Sequence, residues 1–275
     1  MDTVLPPSKD PASPRAVVDD IDLAEQLVTR AASLASELRR QGLTSERKTS
    51  NADLVSAADR AAEDLVRGTL ARERVGDGLL GEEGTSSDSR NGRLWIVDPV
   101  DGTFNFLSGL ASWCSAVALQ VDDELVIGAV HRPELGETWL ADARGTRVNG
   151  KRVAPLADRP LADSSVATYV NPADMVDPTV VAVMTGMLDS AATVRISGSG
   201  TCDLADVAAG RIGLWVQWDC DDWDWMPGRA LVEGAGGRTE VIEHLGRRWH
   251  LAGSARAVGE ASEVLRTVTG PWIQP

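Results

Sequence analysis

Asp98 and Asp101, three positions apart, close an apolar stretch in W-I-V-D-P-V-D-G-T-F-N-F at 95–106. Carboxylates at that spacing across a proline can aim at one point, and a magnesium ion takes hard oxygen ligands of this kind in octahedral array. Pro99 fixes its own φ and keeps Asp98 extended, so the predicted turn loses little entropy on ordering. The Val100 carbonyl between the acids can face the same cation. Gly102 lets the backbone approach a phosphate. Thr103 offers a hydroxyl where a helix can begin, with N–H groups for phosphate oxygens. The bland alternative is an Asx-type turn that only ends a strand.

Two further segments repeat the design. L-L-G-E-E-G (79–84) sets Glu82 and Glu83 at the end of an apolar run, and W-D-C-D-D-W-D-W (218–225) holds four aspartates. Asp219, Asp221 and Asp222 read as a solvated charge run. Asp224 follows Trp223 and is predicted at the N-cap of a helix, where capping is its competing role. Acids at the mouths of three apolar elements argue together for one centre.

The elements that would position them follow from periodicity. Asp19–Arg40 carries Ile21, Leu23, Leu27, Leu34 and Leu38 at helical spacing, and Ser56 is a candidate N-cap for a helix reaching about Arg72. Strands are predicted at 94–97, 113–121, 125–130, 137–141, 193–196, 214–218 and 249–252, with V-N-G-K at 148–151 as a turn. Helices are predicted at 180–188, 201–209 (closed by Gly210), 225–235 and 260–268. No strict β-α-β beat and no internal repeat appears, which favours a layered α/β (α+β) sandwich over a barrel. The stretch 154–163 is the expected seam between an N-terminal half (19–153) and a C-terminal half (154–275). Residues 1–18 read as a flexible Pro-rich tail.

Composition narrows the function. The 275-residue chain carries a formal net charge of −14, which argues against a sequence-independent grip on nucleic acid. An acidic protein acting on an anion needs local positive charge, and a bound cation supplies it. No run of about 20 apolar residues spans a membrane. Three widely spaced cysteines, Cys114, Cys202 and Cys220, suit reduced thiols in a cytoplasm. His131, His244 and His250 form no zinc-like set. Nine of the twelve aromatic residues are Trp, a bias without a sequence-level explanation.

Taken together, K-T-S-N-A-D-L-V-S-A-A-D (48–59), G-E-E (81–83), D-P-V-D-G-T-F-N-F (98–106), G-S-G-T-C-D-L-A-D-V-A-A-G-R (198–211) and W-D with G-R-A-L-V-E-G-A-G-G (223–237) resemble the inositol monophosphatase family. The resemblance covers most of the chain from about Asp19 onward. It implies an α-β-α-β-α sandwich of two fused halves, often dimeric, acting as a magnesium-dependent phosphatase with two or three ions. It also implies roles. Glu82, Asp98, Asp101, the Val100 carbonyl and Asp224 would bind metal, and Asp59 would hold a water on it. Thr103 and Glu82 would orient and deprotonate the attacking water. The Gly102 and Thr103 amides would receive phosphate, while Gly198, Ser199, Gly200 and Gln217 would face the rest of the substrate.

Three departures from the family pattern stand out. The usual W-D-x-A-A-G reads W-D-W-M-P-G here, so Trp225 and Met226 are expected to reshape the pocket wall. Pro227 is expected in the first helical turn, where it costs no hydrogen bond. Gln217 stands where inositol-specific members place an acid, and Ser56 replaces a Thr. The first expectation for substrate is inositol monophosphate or a related sugar or polyol phosphate. Alternatives within the resemblance are 3′-phosphoadenosine 5′-phosphate, fructose 1,6-bisphosphate and histidinol phosphate. Trp215, Trp218, Trp223 and Trp225 could stack on a flat ring, although packing is the commoner role of Trp. A non-catalytic metal- or phosphate-binding protein is the alternative of a different class.

Overall fold

The computed structural model describes residues 19–42, 45–47 and 54–270. The predicted tail, residues 48–53 of the K-T-S-N-A-D segment and the Ser56 side chain lie outside the described residues.

In chain order the elements begin with α1 (Asp20–Arg40), the ribbon β1 (Ser45–Arg47) and β2 (Leu54–Ser56), and α2 (Ala57–Glu73). Next come β3 (Gly78–Gly81), β4 (Ser86–Ser87), β5 (Arg93–Asp101) and the short α3 (Thr103–Ser108). A meander follows: β6 (Cys114–Val121), β7 (Glu124–Arg132), β8 (Glu137–Asp142), β9 (Gly145–Val148) and β10 (Lys151–Arg152). After an irregular stretch at 153–160 come β11 (Ser165–Ala167), α4 (Pro178–Ser190), β12 (Thr193–Arg195), α5 (Gly200–Ala208) and β13 (Leu214–Trp218). The chain continues through α6 (Asp222–Gly234), β14 (Arg238–His244), β15 (Arg247–Gly253) and α7 (Ala255–Thr267).

Besides the two-stranded β1-β2 ribbon, the described residues form two larger sheets, ordered β10-β9-β8-β7-β6-β5-β3-β4 and β12-β11-β13-β15-β14. The apolar stripes of α1 and α2, including Leu23, Leu27, Val28 and Val66, pack on Trp95, Val97, Val117 and Leu119 of the first sheet. On the outer face of the second sheet, Val180, Val183, Val258 and Leu265 of α4 and α7 meet Leu214, Val216, Trp249 and Leu251. Helices α5 and α6 lie between the sheets. Their Leu204, Val207, Leu231 and Val232 touch Ala116, Val130 and Trp139 on one side and Trp215 and Ala252 on the other. The result is the five-layer α-β-α-β-α sandwich. Helices cover both faces of β6, so Cys114–Leu119 are all buried, not only its alternate positions.

The wealth of Trp has a structural reason. Trp95, Trp113, Trp139, Trp215, Trp225 and Trp249 are among the largest fully buried side chains, filling the space between layers. Strand β14 escapes sequence reading because R-T-E-V-I-E-H is an edge strand with no wholly buried residue. Helix α7 starts at Ala255, where the Ser254 hydroxyl caps the Ala257 amide at 3.2 Å. Helix α6 begins at Asp222, not Trp225, so Asp224 is its third residue and not its cap. Pro227 is therefore interior, and the Trp223 carbonyl lacks the amide partner that a residue with an N–H would supply.

Candidate active site

Strand β5 pairs with β6 in register as far as Asp98↔Ala116, and the next pair is Asp101↔Cys114. Three steps on β5 thus oppose two on β6, which is a one-residue bulge. Side chains alternate along a regular strand, so residues 98 and 101 would otherwise point to opposite faces. The bulge turns both acids to one side. The predicted turn after a strand is thus a bulge within one, a position that suits Pro99. Asp98 Oδ1 accepts the Val100 N–H at 2.9 Å, so the Asx-type contact is present together with the acid cluster.

Parallel pairing supplies the next acid. Gly81 of β3 lies opposite Val97, and the Glu82 N–H donates to the Val97 carbonyl at 3.2 Å, which brings Glu82 beside Asp98. Asp224 arrives on α6, where the Thr201 hydroxyl donates to its backbone carbonyl at 3.2 Å. Carboxylate oxygens of Asp98, Asp101 and Asp224 lie within 4.8 Å of one another. Glu82 lines the same cavity of about 180 Å³, with Val100, Gly102, Thr103, Gly198, Gly200 and Gln217. A larger hollow of about 330 Å³ lies between the 154–165 segment and the end of α5, but among the described residues Asp163 is the one acid in its wall. Chemistry, not size, singles out the smaller cavity.

Asp101 is held by the start of α5. The Thr201 amide donates to Asp101 Oδ2 at 2.6 Å, and the Ser199 hydroxyl caps the Cys202 amide at 3.2 Å. Gly102 has φ +90°, and a Cβ there would lie 3.0 Å from the Ser112 carbonyl and 3.1 Å from Ser199 Cβ. Glycine lets the two loops meet. The Thr103 hydroxyl donates to the Val100 carbonyl at 3.1 Å. Asp59, on the first turn of α2, is buried and its charge acts on Glu82.

Burial and mutual repulsion dominate the electrostatics. Burial first, then the charges of Asp59, Glu83 and Asp101, pushes Glu82 up to about 8 despite a hydrogen bond with Asp98. Asp98 is driven well above the usual carboxylate range by burial and by Glu82, Asp101 and Asp224. Asp224 is raised by burial, Asp101 and Glu82. Burial also raises Asp101, opposed by the donors at Thr201, Ser199 and Gly200. Hard oxygen donors crowded this closely fit a divalent cation, which would relieve the repulsion. A pH effect follows. Glu82 is raised from 4.5 to about 8, so between those values the native state holds more protons than the unfolded chain. The metal-free protein is expected to lose stability as pH rises through that window, and magnesium to restore most at its upper end. Thermal unfolding with and without magnesium across the window checks this; a metal-free melting temperature that climbs with pH contradicts it.

Several neighbours have no role assigned from the sequence. Asn105 Nδ2 donates to the carbonyls of Ser112 at 2.6 Å and Ser197 at 2.8 Å, tying α3 to the 197–200 loop. The Ser197 hydroxyl donates to buried Asp203 at 2.6 Å. Tyr169, just past β11, and Phe104 line the cavity, and no spacing rule points to Tyr169. Its hydroxyl is raised by burial and by Asp101 and Asp224.

The Trp expectations need correction. Trp215, Trp218 and Trp225 are buried, Trp215 and Trp225 stack on each other at 5.5 Å, and neither these nor Trp223 lines the cavity. Trp225 and Met226 pack into the core, and neither lines the cavity. His250 is fully buried edge-on to Trp225 and pushed down to about 4 by burial, a neutral packing residue. Cys220 is buried and its thiol pushed well up by burial and Asp224, so it is inert.

The sequence model of the inositol monophosphatase family matches residues 18–266. The chain belongs to the inositol monophosphatase family. Members of this family are phosphoric monoester hydrolases, and this chain is one. A Rhizobium meliloti inositol-1-monophosphatase is 37% identical over 71% of this chain and 75% of its own. A Mycobacterium tuberculosis histidinol-phosphatase is 35% identical over 82% and 88%. A Streptomyces griseus protein named glucose-1-phosphate thymidylyltransferase is 34% identical over 84% and 90%. The solved Thermotoga maritima IMPase superposes with a TM-score of 0.79 at 26% identity, covering 90% of this chain and 97% of that one.

Proposed function

We propose that this family member is a magnesium-dependent phosphatase of small soluble phosphomonoesters, with inositol monophosphate or a related sugar or polyol phosphate as first substrate class. The observation that carries this reading is the meeting of Asp98, Asp101 and Asp224 within 4.8 Å in a cavity shared with Glu82, Gly102 and Thr103. Glu82, Asp98, Asp101, Asp224 and the Val100 carbonyl would hold two or three magnesium ions, with Asp59 behind Glu82. Bound magnesium supplies charge neutralisation and activation of water for in-line attack. Thr103 orients the attacking water, and Glu82 is the base beside it. The amides of Gly102 and Thr103 receive phosphoryl oxygens. Gly198, Gly200 and Gln217 face the alcohol, and Gln217 Oε1 has no hydrogen-bond partner among the described residues. An amide there can bond a substrate hydroxyl, with less charge assistance than a carboxylate. The setting of this reading is a cytoplasmic homodimer, which the three buried free cysteines and the family resemblance favour.

A second reading rests on the aromatic edge. Phe104 is 60% exposed and lines the cavity with Tyr169, so a flat ring has two partners that a polyol does not need. Histidinol phosphate or 3′-phosphoadenosine 5′-phosphate would then replace the polyol.

Phosphate release with and without magnesium, on inositol monophosphate, sugar phosphates, fructose 1,6-bisphosphate, histidinol phosphate and 3′-phosphoadenosine 5′-phosphate, tests both. Turnover is expected to vanish with a chelator and to be best on a polyol or sugar phosphate. A ring substrate ahead by about tenfold in kcat/KM, near 1.4 kcal/mol, selects the second reading. No magnesium-dependent turnover on any of them defeats the proposal.

A further inference from the structure

Glu63 lies one turn beyond Asp59 on α2, is 2% exposed, and has no part in the chemistry above. Its Oε2 accepts the Glu83 amide at 2.9 Å and its Oε1 the Thr85 amide at 3.0 Å. Those amides belong to the loop that presents Glu82. The same loop is closed by the Gly81 amide donating to the Thr85 carbonyl at 2.8 Å. Gly81 is the point where the carboxylate passes, since a Cβ there would lie 2.4 Å from Glu63 Oε2.

We infer that Glu63 is a positioning residue for the metal centre, a buried carboxylate clamp that fixes the 81–85 loop and thereby Glu82. An ionised carboxylate only accepts, so both oxygens match the two N–H donors, and charge assistance shortens and strengthens such bonds. A glutamine amide offers one oxygen and turns an NH₂ toward the other donor. Helix α2 also carries Asp59, whose charge acts on Glu82, so one rigid element sets both acids at once. The inference rests on the phosphatase reading only in that Glu82 binds metal.

Titration of the metal-free full chain with Mn²⁺, followed by electron paramagnetic resonance, tests it alongside activity against magnesium concentration. In Glu63→Gln the Mn²⁺ affinity is expected to fall, and the magnesium half-saturation to rise, by about tenfold, the range for residues that orient ligands. Substrate KM at saturating magnesium should stay unchanged. Gly81→Ala attacks the clamp from the loop side and should give the same pattern. A merely structural role would lower melting temperature and active fraction with metal affinity intact. Unaltered Mn²⁺ affinity in either folded variant overturns the assignment alone. An unsubstituted chain that binds no Mn²⁺ overturns the phosphatase reading as well.

Discussion

Asp98→Asn is expected to lower magnesium-dependent kcat by on the order of 10³-fold or more, since a metal site is worth several kcal/mol and each decade needs about 1.36. It is also expected to raise the melting temperature of the chelated protein. Asp98 is 1% exposed, and Glu82, Asp101 and Asp224 all raise its pKa by their charge. Asparagine keeps the oxygen that accepts the Val100 amide, so the bulge survives. What disappears is the cost of holding a buried carboxyl among other acids, whose raised pKa opposes folding at any pH above its unfolded value, while the amide has no proton to gain or lose. Opposite signs for activity and metal-free stability set a ligand apart from a scaffold residue. Steady-state kinetics and thermal unfolding in chelator read both. Activity kept within about tenfold, or a clear fall in melting temperature, would remove Asp98 from the centre. The variant also decides against a non-catalytic protein: a folded chain that loses a metal-dependent rate was an enzyme.

Much of the fold was legible because its long elements are periodic. The stripe from Ile21 to Leu38 predicts α1, and the apolar run before Asp98 predicts the core of β5. The acids of the cavity were legible because carboxylates at the ends of apolar runs are unusual. Their mutual placement was not. The bulge that aligns Asp98 with Asp101 depends on pairing with β6, and the approach of Glu82 depends on parallel pairing with β5. Neither register is written in a local window. The acidic run 219–224 offers several candidate caps, and the helix takes Asp221 at the cap and starts at Asp222, not at the predicted cap Asp224. The stacking role offered to Trp215, Trp218 and Trp225 failed for a different reason. The interior between two sheets and three helix layers had to be filled, and large aromatic rings fill it. Tyr169 could not be foreseen, since it enters the cavity from a short strand end with no pattern around it.

Gly228→Ala should damage stability and catalysis together. Gly228 of α6 faces Leu204 of α5, and an added Cβ would lie 2.3 Å from Leu204 Cδ1, 2.5 Å from its Cβ and 2.9 Å from its Cγ. The terminal methyl can swing aside, but Leu204 Cβ is fixed to its helix, so the two helices must part. Overpacking of this kind costs about 1–3 kcal/mol. The same two helices hold the centre together. Thr201 of α5 gives its amide to Asp101 and its hydroxyl to the Asp224 carbonyl of α6. Misplacing reacting groups by about 1 Å can cost about 10²-fold, so kcat should fall by tenfold to a hundredfold. Leu204→Gly added to Gly228→Ala removes that Cβ with the rest of the side chain and should recover most of the rate, though the cavity and a glycine inside α5 will keep stability low. Denaturant unfolding and kcat of the two variants and the unsubstituted chain separate the effects. If the double variant regains stability but not rate, or if Gly228→Ala leaves kcat untouched, helix spacing does not set the distance between Asp101 and Asp224. If rate returns while stability stays low, the acids work because two helices are held at glycine distance, and the D-P-V-D-G-T segment is only half of the site.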